Sequence, residues 1–130
     1  MEVVTRNNRG FTLIEALIAI LILSVMLLGL IPAFMKAYNV NQEVSLRDAA
    51  MDIAHESLEV LRTKGFSNLS SNSTYVVRRI MKRDVPYTVD TQVASLYGGD
   101  VYQVTVKVKW KYRDDNVSYN VTTVVGDIDE

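Results

Sequence analysis

From Ala16 to Met35 the chain reads ALIAILILSVMLLGLIPAFM, twenty residues without a charged side chain. As a helix this run would extend about 30 Å, the thickness of one bilayer hydrocarbon core. A cleaved secretory signal has a shorter apolar core with a small-residue cleavage site close behind it. Here the run is too long and no such site follows closely, so it reads as a retained membrane span. Arg6 and Arg9 precede it, whereas Lys36 is the one basic residue in the ten that follow it. The positive-inside rule then places the N-terminus in the cytoplasm and the remainder of the chain outside.

What remains is compositionally ordinary. With 130 residues there is room for one domain. The net charge of -1 gives no bulk argument for nucleic acid or acidic partners. There is no cysteine and one histidine, which excludes disulfides and thiolate metal sites and leaves little for a nucleophilic triad. No cofactor or metal is expected, and the chain is not expected to be an enzyme.

Glu15 is the anomaly, an acid four residues into the apolar block counted from Phe11. An ionised carboxylate at a bilayer centre costs roughly 2.5–3.5 kcal/mol on insertion scales, and less near the edge. Either it snorkels into headgroups at the interface, or it awaits a cation supplied by another molecule.

The residues around Glu15 carry a resemblance. Arg9-Gly10-Phe11-Thr12-Leu13-Ile14-Glu15, directly ahead of the apolar run, is similar to the processing motif of type IV prepilins and type II secretion pseudopilins. The likeness extends from Arg6 to about Gly65. It implies cutting between Gly10 and Phe11 by a membrane-embedded prepilin peptidase, which then N-methylates Phe11. Met1 to Gly10 would be the leader. Glycine suits the cut site because it brings no Cβ into a tight protease cleft, and Arg6 and Arg9 hold that site at the cytoplasmic surface. Cleavage also creates an ammonium at Phe11. In the family's model, a neighbouring subunit's amine pairs with this glutamate during assembly.

Gly29 and Pro32 lie within the span. Proline removes a backbone donor and glycine loosens a helix, so a kink is expected there. In filaments of similar pilins this stretch loses helical hydrogen bonding.

Beyond the membrane the helical pattern continues to Lys64. Val40, Val44, Met51, Ala54, Leu58 and Leu61 define one apolar stripe. Leu46, Ala50, Ile53 and Val60 define a second, about 100° round. The expectation is that the first covers the chain's own β domain and the second meets other helices, with one broad core-facing surface as the alternative. Glu43 and Arg47, four apart, can pair. His55 sits on the polar face and is expected to be solvated. Lys64-Gly65 reads as the helix end.

Ser67 to Thr74 reads as a loop. A weak strand candidate, Thr74 to Met81, precedes three clear ones: Tyr87 to Val93, Val104 to Lys111 and Val117 to Val125. Gly98-Gly99-Asp100 and Asp114-Asp115-Asn116 mark the turns between the clear strands. Short connections and one-sided alternation predict an antiparallel meander with one buried face. Lys107, Lys109, Lys111 and Arg113 form a basic row on its other face. We read the row as a solvated strand face rather than a nucleic-acid site, because acidic residues elsewhere offset it.

The fold expected is α+β, a long N-terminal helix packed on a small antiparallel meander, as in type IV pilins. The divisions expected are a leader at 1–10, a transmembrane and filament-core helix at 11–35, its amphipathic extension at 36–64 and an extracytoplasmic β domain at 65–130. The segment Ile53-Ala54-His55-Glu56-Ser57-Leu58-Glu59-Val60-Leu61-Arg62, with Gly65-Phe66, resembles V-type minor pilins and also I-type minor pseudopilins. The partners so implied are the prepilin peptidase, other pilin or pseudopilin subunits, and the inner-membrane assembly platform. The location implied is the inner membrane in single-pass form, then an extracytoplasmic filament. From another class, a bitopic protein with a periplasmic binding domain explains the span but not Gly10-Phe11 together with Glu15.

Overall fold

The computed structural model describes residues 10–64, 70–99 and 101–126. Five elements form the main architecture: α1, Leu13–Thr63, then β1, Asn72–Ile80, β2, Arg83–Leu96, β3, Val101–Tyr112, and β4, Asp115–Gly126. The chain divides into two compact units, Met1–Asn39 and Val40–Glu130.

In the first unit, every described residue from Gly10 to Tyr38 is exposed. The most apolar window of α1 has none of its residues buried, and the helix is long and apolar enough to cross a membrane. A helix pairs most of its interior backbone groups within itself, as a lipid environment demands. Ser24 follows the same rule by donating its hydroxyl to the Ile20 carbonyl at 2.7 Å. Pro32 lies inside the helix and has no N–H to offer the Leu28 carbonyl.

In the second unit the strands form an antiparallel sheet in the order β1-β2-β3-β4, the meander expected. Two segments differ from expectation. Met81 and Lys82 link β1 to β2 with φ of 46° and 65°, both left-handed. This is the backbone of a two-residue hairpin that usually recruits glycine or asparagine. Asn72 to Thr74, expected as loop, belongs to β1. Before β3 the chain turns through Gly98 and Gly99, whose φ of 82° and 113° suit residues without a Cβ. Asp100, Gly65 and residues 67–69 lie outside the described residues, and with them the glycine helix cap and part of the loop expectation.

The core joins Leu46, Ala50, Ile53, Ala54 and Leu58 of α1 to Tyr87, Val89, Val104, Val106, Val108 and Trp110 of the sheet. This corrects the two-stripe assignment. Leu46, Ala50 and Ile53, assigned to outside partners, are buried, while Val40 and Val44, assigned to the sheet, are each 50% exposed. The sheet-facing surface is a single broad one that takes Ala54, Leu58 and the half-buried Leu61 from one stripe and Leu46, Ala50 and Ile53 from the other. Ala50 and Ala54 are wholly buried in the same core as the Tyr87 and Trp110 rings, whose centroids lie 5.9 Å apart. Among the described residues Glu43 and Arg47 form no ion pair; Glu56 instead meets Arg78 of β1.

Tyr87 also ties sheet to helix within this unit, donating its phenol to the Leu46 carbonyl at 3.0 Å. Burial pushes the phenol up from 10.0 to about 12. The folded state therefore holds the proton more tightly than the unfolded chain, which ionises near pH 10. The resulting stability is complete below that pH and is lost as pH rises toward the folded value. Tyr87→Phe should cost about 0.5–1.5 kcal/mol at neutral pH. Denaturant midpoints taken across the alkaline range should fall more steeply in the parent than in this variant. Equal slopes would show that the phenol does not contribute.

Candidate functional site

The start of α1 brings together the residues that the sequence singled out. Gly10 and Phe11 precede the first helical residue, Leu13, and Phe11 is 91% exposed. A Cβ built on Gly10 would meet nothing within 4 Å among the described residues, so no described contact requires glycine there. Arg6 and Arg9 lie outside the described residues.

Glu15 has a partner that the sequence reading overlooked. Its Oε2 accepts hydrogen bonds from the Thr12 backbone N–H at 3.1 Å and the Thr12 hydroxyl at 3.3 Å. The Glu15 N–H in turn lies 3.3 Å from the Thr12 hydroxyl oxygen. The first helical bond follows, from Ala16 N–H to the Thr12 carbonyl at 3.2 Å. Thr12 is thus the N-cap and Glu15 the third helical residue, a reciprocal capping box. The signal was present in the sequence as Thr12-Leu13-Ile14-Glu15 directly ahead of an apolar run. The cap moves the helix start from Phe11, where the pattern placed it, to Leu13. It also leaves the Gly10–Phe11 bond outside the helix, in a segment that a peptidase can bind in extended form. An acidic group in the first turn is further favoured by the helix dipole.

Gly29 and Pro32 are both helical and exposed, and α1 runs through them without a break. On the outer face of the sheet the basic row is partly neutralised. Lys109 pairs with Asp90 at 2.5 Å. The hydrogen bond from Lys109 and a second from Ser73 hold the Asp90 carboxyl below its usual range. Arg113 sits 5.4 Å over the Tyr112 ring. Lys107, Lys109 and Lys111 border a shallow depression of about 600 Å³ with Tyr75, Pro86 and Thr88. His55 is exposed, and among the described residues no cluster of His, Asp and Glu could hold a metal ion.

Residues 5–31 match the family model described as the prokaryotic N-terminal methylation motif. The matched span holds Arg6, Arg9, Gly10, Phe11, the Thr12–Glu15 cap and most of the apolar run. It supports a type IV pilin or prepilin-like family and, with it, processing by a prepilin peptidase. No curated protein and no solved structure matches the chain.

Proposed function

We propose that this chain is a minor structural subunit of a type IV pilus. It enters the inner membrane as a prepilin and is cleaved between Gly10 and Phe11 and N-methylated at Phe11. The assembly platform then moves it into an extracytoplasmic filament, where it acts in assembly or priming. The observation that carries the reading is a capped helix start at Thr12, one residue beyond Phe11, leading into the exposed, uncharged run from Ala16 to Met35, inside the methylation-motif match. The divisions follow: leader 1–10, filament-core helix 11–35, amphipathic extension 36–64 and β domain 65–130. In the assembled filament the Gly29-to-Pro32 stretch is the place where α1 would bend. The segment from Ile53 to Arg62 also favours a second reading, a minor pseudopilin of a type II secretion system. Genes adjacent to its own, encoding pilus or secretion components, separate the two.

In this role Glu15 pairs with the new ammonium of a neighbouring subunit, since in a low-dielectric setting a matched pair offsets part of the desolvation that each charge suffers alone. The cap makes the charge separable from the helix start. Glutamine serves at the third position of a capping box as glutamate does, so Glu15→Gln keeps the cap and removes the charge. Glu15→Leu removes both. The test is expression in the native host, intact mass of the protein, and its amount in sheared filaments. The parent should begin at N-methylated Phe11, and both variants should be cleaved but remain in the membrane. Recovery of Met1 to Gly10 in assembled parent protein would sink the proposal. Glu15→Gln protein in filaments at the parent level would show that the cap suffices and the charge is dispensable.

A further inference from the structure

The two edges of the sheet differ. β1, at one edge, is nine residues long and ends in Arg78 and Arg79. β4, at the other, is twelve residues long and pairs with β3 without interruption from Asp115 opposite Tyr112 to Gly126 opposite Val101. From Asn116 to Gly126 it has no charged residue and no proline. Soluble proteins protect a long edge with lysine, proline, a bulge or a covering loop, because its free N–H and C=O groups recruit another strand. None of the first three is present on β4, and among the described residues no further strand pairs with it. Its helix-side residues Val117, Tyr119, Val121, Thr123 and Val125 are each only half-buried, unlike the buried valines of β3. The edge is chemically prepared for one more strand.

Strand polarity and charge identify that strand. In a meander of four, β1 and β4 run in opposite directions. Two copies standing side by side in the same orientation therefore present β4 of one antiparallel to β1 of the next. An antiparallel β4–β4 pair would offer Asp114 and Asp115 no cation, since β4 carries no lysine or arginine. A parallel β4–β4 pair would set Asp114 and Asp115 against their own counterparts. The β4–β1 pairing instead brings Asp114 and Asp115, where β4 begins, beside Arg78 and Arg79, where β1 ends.

We propose that β4 is a strand-addition site whose occupant is β1 of a second copy of this chain, antiparallel, with Asp115 opposite Arg78. The register keeps faces matched. Val117 falls beside the half-buried Val76 on the helix side, and Ser118 falls beside Tyr75, 67% exposed, on the outer side. Arg78 already meets Glu56 of its own helix, so Asp115 completes a three-member charge group. The contact is heterologous. It does not close on itself, and repetition builds a row of subunits rather than a dimer. The inference rests on the subunit reading above, because that reading fixes the common orientation.

The chain contains no cysteine, which makes it suited to disulfide trapping. Directly opposite residues of an antiparallel pair lie within disulfide reach. Full-length protein carrying Tyr75→Cys and Ser118→Cys together, oxidised in native-host membranes and filaments, should give a ladder of dimers, trimers and higher species. Each single variant should stay monomeric. Adding Asp115→Arg to the pair should lower the ladder by about 1.4- to 5-fold, the span that about 0.2–1 kcal/mol of cross-strand charge pairing represents. Dimers from Ser118→Cys alone would overturn the proposal in favour of an isologous edge. A double variant that starts at N-methylated Phe11 and enters filaments, yet stays monomeric or links only to other proteins, would overturn it and leave the subunit reading intact. An uncleaved parent chain would sink both.

Discussion

Ile53→Asp is expected to unfold the unit from Val40 onward. Ile53 is 2% exposed and sits among Ala50, Ala54 and the sheet residues of the core. The substitution removes a branched aliphatic side chain, a loss of about 2–5 kcal/mol in itself. It also sets a carboxylate where no polar partner waits, which adds several kcal/mol unless the group protonates. Together these approach the whole stability of an ordinary domain, about 5–15 kcal/mol. Trp110 supplies the readout, being the one tryptophan and 5% exposed against Tyr87. Full-length protein in detergent should show red-shifted Trp110 emission and no cooperative denaturant transition. Val60→Asp is the matched control, since Val60 is 46% exposed and its carboxylate would remain in solvent. Parent-like emission and midpoint for Ile53→Asp would mean that this face of α1 does not meet the sheet.

The second large effect concerns processing. Gly10→Val should leave the protein as an uncleaved precursor in the membrane. Among the described residues nothing lies within 4 Å of a Cβ at this position, so the substitution disturbs no described contact of the subunit. Whatever is lost is lost in the peptidase. A clash of about 3 kcal/mol in its cleft would slow cleavage on the order of 100-fold. Gly10→Ala, adding one methyl group, should fall between the two. Intact mass of membrane-extracted protein measures the ratio of precursor to mature chain. A Gly10→Val precursor that disappears as fast as the parent would mean that the scissile bond lies elsewhere.

Much of this protein was legible in the sequence. Twenty uncharged residues fix a helix able to span a bilayer, because no other backbone form satisfies its own polar groups without a neighbour. Period-two alternation in Val104 to Lys111 and Val117 to Val125 fixes two strands and their buried faces. Gly98-Gly99 fixes a turn, because left-handed φ suits a residue without a Cβ. The Thr12–Glu15 cap was equally legible, as a threonine three residues before a glutamate. The same carboxylate that closes the cap is also the one suited to an outside cation, so the pattern supports both roles.

Other features could be settled only by the tertiary structure. Met81-Lys82 has no turn residue, and its left-handed backbone is imposed by the β1–β2 pairing on either side, with Ile80 opposite Arg83. Pro86 hid the first four residues of β2, Arg83 to Pro86. The strand tolerates it because pairing with β3 is recorded only from Thr88 onward, so at Pro86 the strand has a single partner and behaves as an edge. The face of α1 that meets the sheet was beyond reach for a different reason. Two apolar stripes about 100° apart offer nearly equal burial, so periodicity alone cannot rank them. The choice was made with the partner surface, where Tyr87 finds the Leu46 carbonyl for its phenol and the buried Ala50 and Ala54 join the sheet residues in one core. Local pattern determines which residues want burial; only the shape and hydrogen-bonding needs of the opposing sheet decide which of them obtain it.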